Sequence, residues 1–206
     1  KAKKELPNVE FLKCDISDYT ALINTEKEIE KEYGKIDVLV NNAGTIIPGD
    51  IETLSAENWD KVIKNNFSSY FYVSKVFLNL LKKGDNPNIV NISSISATAG
   101  GSSIAYSCAK AGVNMISQTL AKDLAKYNIR VNTISPGMVN SGFHIHNKVM
   151  NEEEYFSMLA KQSVNYPFGI GNALDIANAI IFLSSKKAKW ISGADLVVDG
   201  GKLVSR

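Results

Sequence analysis

The chain has 206 residues, 45% of them hydrophobic and 21% charged, with a formal net charge of +2. That length suits one domain with a sizeable core; the near-neutral charge, without a basic stripe, argues against nucleic acid as a partner. No apolar run approaches the ~20 residues of a membrane span and no signal peptide is visible, and the two cysteines, Cys14 and Cys108, have no metal or redox spacing, which fits a reducing, cytoplasmic compartment.

Lys1, Lys3 and Lys4 make a small basic start that reads as a solvated helix tail. Residues 9–14 read as a buried strand ending at Asp15, with Cys14 lining it. A helix follows over residues 19–33, with Gly34 as its stop. Residues 36–40 (Ile-Asp-Val-Leu-Val) form a near-continuous apolar run, the mark of a strand covered on both faces. Residues 55–83 predict one long helix, N-capped by Ser55 and ended by Gly84. Then come a strand over 88–92, a helix over 104–126 and a strand over 129–134. Helices over 151–164 and 173–184 and a last strand over 195–198 complete the pattern. Such alternation predicts an α/β fold, a doubly wound parallel sheet with helices on both faces, in a single domain. In such sheets ligands gather at the carboxyl ends of the strands. Asp15, the turn from Asn41 to Gly44, Ser93 with Ser94, and the Ser135-Pro136-Gly137 turn all fall there.

Tyr106 and Lys110 are four residues apart on the 104–126 helix, so phenol and ammonium share one face. A nearby ammonium favours the phenolate, lowering a tyrosine pKa from its ordinary ~10. A tyrosine tuned this way exchanges a proton with a carbonyl or an alcohol, and a serine hydroxyl from an adjacent strand end can hold the same oxygen. Taken alone, the pair reads more simply as a half-buried aromatic and a solvated surface lysine. It gains weight from Asn41-Asn42-Ala43-Gly44 after the 36–40 run, from Asn66 in the long helix, and from Ser135 to Ser141 after the 129–134 strand.

With these motifs in this order, the chain resembles the short-chain dehydrogenase/reductase family from Asp15 to Gly201. Within it, it looks most like the 3-oxoacyl-carrier-protein reductase type. The stretch from Trp190 to Gly193 and on to Gly201 is similar to the family's carboxyl end. The resemblance implies an NAD(P)-dependent Rossmann-like oxidoreductase that interconverts a ketone and a secondary alcohol, with reduction of a 3-oxoacyl thioester as one candidate activity. It implies Tyr106 as acid/base and Lys110 as the group that tunes it and holds the nicotinamide ribose. Ser94, or alternatively Ser93, polarises the carbonyl, and Asn66 holds a water that relays protons from Lys110. On the cofactor side it implies Asp15 and Ile16 at the adenine, Asn42, Ala43 and Gly44 beside its ribose, and Pro136, Gly137, Val139 and Ser141 around the nicotinamide. Ser141 stands where the family commonly has Thr and keeps the hydroxyl.

Residues 142–166 correspond to the family's substrate lid. Met150, Tyr155, Phe156 and Met158 read there either as packing on the body or as an apolar wall for substrate. His144 and His146 lie in the same segment; spacing places no third ligand near them, so no metal is expected. A departure lies at residues 166–172, where the family's Arg between Gly169 and Ile170 is not represented. The family's first strand, its Thr-Gly-x-x-x-Gly-x-Gly turn and its second strand have no counterpart here. The resemblance therefore implies a preceding unit of roughly 40–60 residues. Because the residue after that second strand chooses the cofactor, NAD and NADP both stay open. The rival reading is a relative without the turn, acting as a binding or scaffold subunit. Against it, lack of a central strand would bare a long apolar edge. The apolar residues around the 55–83 helix (Phe67, Tyr70, Phe71, Val73, Phe77, Leu78) and on the 104–126 helix predict, with the resemblance, a homodimer or homotetramer.

Overall fold

The structure is a computed structural model that describes residues 8–205. The basic start at Lys1, Lys3 and Lys4 lies outside the described residues. Four parallel strands form the sheet in the order β1 (Val38–Asn41), β2 (Asn88–Ile92), β3 (Arg130–Pro136) and β6 (Asp195–Val198). The register sets Asn41 beside Asn91 and Thr133, so the strand ends that carry the candidate site are level. A second, two-stranded parallel sheet joins β4 (Val139–Asn140) to β5 (Gly171–Asn172). Among the described residues, no helix is long and apolar enough to cross a membrane.

The period-2 alternation of β2 sorts its side chains between two helical layers. Ile89 joins Leu81, Leu124 and Val131 beneath helix α6 (Ile104–Leu124), whereas Val90 and Ile92 pack with Leu183 of helix α9 (Ala173–Ser184) on the other face. This is the doubly wound arrangement the alternation predicts. Helix α1 (Tyr19–Tyr33) lays Leu22 against Val73, Phe77 and Leu80 in a third cluster. Gly34, at φ 71°, ends it as the sequence reading has it and donates to the Glu30 carbonyl, and Asp18 caps the start by accepting from the N–H groups of Thr20 and Ala21. Helix α8 (Glu152–Ser163) and α9 both open with capping boxes, through Asn151 with Glu154 and Asn172 with Asp175.

Five expectations are corrected. Residues 9–14 form no strand; Val9, Phe11 and Leu12 are 45–47% exposed, because no described strand lies alongside to pair with them. Cys14 is half-buried against the Leu22–Phe77 cluster instead of lining a strand. β1 is not covered on both faces: Val38 and Val40 are each 38% exposed, and among the described residues its only ladder is with β2. The long helix from Ser55 is broken into α2 (Ala56–Ile63), a π-helical turn over Lys64–Ser68, α3 (Ser69–Val76) and α4 (Leu78–Leu81). Gly84 does not stop it by a left-handed turn, since its φ is not positive. Glycine is required there because a Cβ would lie 2.2 Å from the Ile36 carbonyl oxygen.

Candidate active site

Helix α6 delivers both Tyr106 and Lys110. Its first turn is fixed by Ser103, whose hydroxyl accepts from the Tyr106 N–H at 3.3 Å. Its second turn is fastened to the end of β2, where the buried Ser93 hydroxyl donates to the Lys110 carbonyl at 3.0 Å. Ser93 is thus a clip, and its neighbour points the other way, as successive residues of an extended chain do. Ser94 lies against the Tyr106 phenol, and its Oγ accepts from Ser96 N–H at 3.1 Å. Of the two serines left open by the motif, Ser94 is the one that faces Tyr106.

Lys110 is only 3% exposed. Its Nζ donates to the Ile92 carbonyl at 2.7 Å and to the Tyr70 hydroxyl at 3.2 Å, and lies 5.5 Å from the centre of the Tyr106 ring. Tyr70, buried as well, donates to the same Ile92 carbonyl at 3.0 Å. Burial disfavours the ammonium and pulls its pKa down to about 7. Burial also pushes Tyr106 up to about 12, with the Ser94 hydroxyl pulling in the opposite direction. The expected depression of Tyr106 is therefore absent. The ammonium is aimed at Ile92 and Tyr70 rather than at the phenol, and near neutral pH it is only partly charged.

The π-helical turn places Asn66 fully inside. One extra residue per turn rotates the following side chains, and such turns recur at functional sites. The Asn66 amide donates to the carbonyls of Thr45 (2.9 Å) and Val62 (2.8 Å), and its Oδ1 accepts from Thr45 N–H at 3.0 Å. The side chain thus holds the Thr45 turn in place. Gly44 is packed so tightly that a Cβ would lie 2.7 Å from Asn66 Oδ1 and 3.9 Å from Lys110 Nζ. Asn66, Gly44, Lys110, Tyr106 and Ser94 therefore converge.

The other predicted residues surround this cluster. Asn41 points inward and donates to Asn91 Oδ1 at 2.8 Å, while Asn42 and Ala43 are exposed at the strand end. Asp15 is exposed, and hydrogen bonds from Ser17 hold its carboxyl below the usual range; Ile16 packs on the Leu22 cluster. The Pro136 carbonyl accepts from Ile95 N–H at 3.0 Å, and Gly137 N–H donates to Val198. A Cβ on Gly137 would lie 2.8 Å from Asp199 Cα. Val139 pairs with Gly171 in the small sheet.

Tyr155 packs on the body, one of the two readings the sequence leaves open for it. It is 1% exposed, and its hydroxyl accepts from the N–H groups of Ser141 and Gly142, both at 3.1 Å. Tyr166 accepts from Met138 N–H at 3.0 Å. Two tyrosines thus clasp the 138–142 turn, and Phe156, 51% exposed, meets the Tyr155 ring edge-on with centres 5.7 Å apart. Phe143, in the short helix α7 (Phe143–His146), leans on Tyr106 with ring centres 6.2 Å apart. Among the described residues, no cluster of three metal-ligating side chains forms around His144 and His146. Thr45 and Phe143 gave no signal in the sequence, and Tyr70 and Tyr166 entered it only as an apolar residue of the long helix and as the lid boundary, since each matters through one hydroxyl, backbone group or ring placed by a distant element.

The family model described as Enoyl-(Acyl carrier protein) reductase matches residues 1–202. The 3-oxoacyl-[acyl-carrier-protein] reductase of Escherichia coli (strain K12) is 32% identical, over 94% of this chain and 78% of that protein. The 7alpha-hydroxysteroid dehydrogenase of Bacteroides fragilis is 37% identical, over 83% of this chain and 66% of its own length. The ligand-free aldohexose dehydrogenase of Thermoplasma acidophilum superposes with a TM-score of 0.89 at 29% identity, covering 97% of this chain and 80% of that one.

The Lys110 shift has a pH signature. Its pKa is about 7 when folded against 10.5 ordinarily, so the unfolded state binds the extra proton between those values and stability rises with pH there. The rise is at most about 1.4 kcal/mol per pH unit, the slope for one proton. Above pH 10 the raised pKa values of Tyr106 and Tyr70 reverse the sign. Urea denaturation at pH 7, 8 and 9.5 should show the wild type gaining stability relative to Lys110→Met. Parallel curves for the two proteins would refute the buried ammonium.

Proposed function

The chain belongs to the short-chain dehydrogenase/reductase family, and we propose that it reduces a ketone to a secondary alcohol, and the reverse, with NAD or NADP. The observation that carries this reading is the Tyr106 phenol facing Ser94, one helical turn from the buried Lys110, at the carboxyl end of β2. Asn42 and Ala43, exposed at the carboxyl end of β1, support a dinucleotide site there, and Gly44 and Gly137 let the turns after β1 and β3 pack directly on Asn66 and Asp199. In this reading Asp15, Ile16, Asn42, Ala43 and Gly44 hold the adenosine end, Lys110 and Tyr106 the nicotinamide ribose, and Pro136, Gly137, Val139 and Ser141 the nicotinamide. When bound, the nicotinamide supplies or accepts the hydride.

The chain's own residues handle the proton. Ser94 Oγ–H donates to the substrate carbonyl oxygen and fixes its position. Tyr106, protonated at neutral pH because burial holds its pKa near 12, gives its proton to that oxygen as the carbon is reduced. Lys110 stands behind the phenol to stabilise the tyrosinate left after transfer, and Asn66 keeps the Gly44–Thr45 turn against it. In the direction of alcohol oxidation the same phenolate must form first, so high pH favours that direction.

Residues 142–166 act in this reading as a lid within the single domain, and a medium or long apolar ketone, such as a 3-oxoacyl thioester, is the proposed substrate. Phe143 beside Tyr106 supports an apolar wall at the reacting carbon. A cytoplasmic location accords with the two free cysteines. Assembly into a homodimer or homotetramer is supported by the exposed Met115 and Phe71, and by Ile181, Trp190 and Val197 on the α9–β6 side. A light-scattering mass of one subunit would overturn it.

Tyr106→Phe should lower turnover by about two to four orders of magnitude with the fold intact. The assay is a panel of acetoacetyl-coenzyme A, a 3-oxo-steroid, an aldose and a polyol with both reduced and oxidised cofactors. Unchanged turnover in the variant sinks the assignment of Tyr106, and a strong preference for aldose or polyol sinks the apolar ketone.

A further inference from the structure

Asn147 lies just past the end of helix α7, about a hundred residues from the turn it touches. Its Oδ1 accepts from the Thr45 hydroxyl at 2.7 Å and from Ile46 N–H at 3.2 Å. Its Nδ2 donates back to the Phe143 carbonyl at 2.9 Å. One side chain thus binds the first residue of α7 to the turn after β1.

Both partners of this tie matter. Thr45 is rigid, because Asn66 holds its N–H and its carbonyl together; its neighbour Gly44 is the residue packed between Asn66 and Lys110. Helix α7, by contrast, has four residues, too few to be stable alone. The chain leaves it through Lys148 at φ 57°, a conformation that costs free energy for a residue with a Cβ. The position of α7 is therefore set by what it is tied to, and its leading residue, Phe143, is the one whose ring leans on Tyr106.

We propose that Asn147 is a positioning residue: by joining Thr45 to Phe143 it registers the Phe143 ring over Tyr106 and so shapes the substrate's binding space without touching the reacting atoms. This rests on the oxidoreductase reading of Tyr106. The tie acts on substrate binding, not on proton transfer. Loss of its hydrogen bonds should raise KM by about five- to thirty-fold, the factor for one or two net hydrogen bonds, with kcat changed less than threefold.

The test is a double-mutant cycle in the otherwise intact protein. Thr45→Val removes the hydroxyl at nearly constant volume, Asn147→Ala removes the carboxamide, and Thr45→Ser restores the donor. KM and kcat are measured with the ketone and the reduced cofactor, NADH or NADPH, that the wild type turns over best in the panel, and hydrogen–deuterium exchange is followed in residues 143–149 and in α6. Expected are a raised KM in both single variants, a double variant no worse than Asn147→Ala, wild-type KM in Thr45→Ser, and faster exchange confined to 143–149. Additive effects, unchanged exchange in 143–149, or a kcat loss of a hundredfold at constant KM would each overturn the proposal. Exchange needs no turnover, so the tie is tested even if Tyr106→Phe shows the oxidoreductase reading to be wrong. If Tyr106→Phe abolishes turnover while the cycle is additive, the tie alone falls.

Discussion

The site depends on one carbonyl group, that of Ile92 at the end of β2. It accepts from Lys110 Nζ at 2.7 Å and from the Tyr70 hydroxyl at 3.0 Å. An amine as buried as Lys110 must have such partners, because an unsatisfied ammonium in a low-dielectric interior is far too costly. That requirement fixes the rest. Lys110 can reach Ile92 only if α6 runs close beside β2, which Ser93 ensures by bonding the Lys110 carbonyl. Tyr70 can reach it only if α3 is rotated inward, which follows the π-helical turn that also buries Asn66. Tyr106, one helical turn before Lys110, then has no choice but to face Ser94 at the mouth of the strand.

Seen this way, the pKa values describe a resting state suited to giving a proton. Burial that keeps Tyr106 protonated also withholds part of the charge on Lys110. A simple ammonium–phenolate pair, the picture that four-residue spacing suggests, would have both groups charged in the interior. The structure avoids that cost by pairing the amine with neutral acceptors. Charge on Lys110 becomes most favourable when a negative group forms beside it, as it does when Tyr106 releases its proton.

Much of this was legible in the sequence where the signal is local. The Ser55 cap, the left-handed Gly34 and the alternating elements depend on neighbouring residues, and they were read from neighbouring residues. The cluster of Tyr106, Lys110, Ser94 and Asn66 was legible through motif order at strand ends. What failed depended on distant partners. The 9–14 segment has the composition of a buried strand, but pairing is a property of two segments. The π-helical turn leaves no mark in hydrophobic period over so short a stretch. Tyr155 counted as apolar by composition, yet its hydroxyl holds the 138–142 turn. Asn147 and Thr45, about a hundred residues apart, could be joined only by coordinates.

The central claim, that Tyr106 with Ser94 and Lys110 protonates a carbonyl while a nicotinamide reduces it, is tested most directly by isotope transfer. The full-length protein is incubated with each ketone of the panel and NADH or NADPH deuterated at the transferring position of C4. Mass spectrometry of the alcohol should find deuterium at the carbinol carbon, and the hydroxyl proton should come from solvent. Product carrying solvent hydrogen at that carbon, or no oxidation of either cofactor with any ketone, would contradict the account.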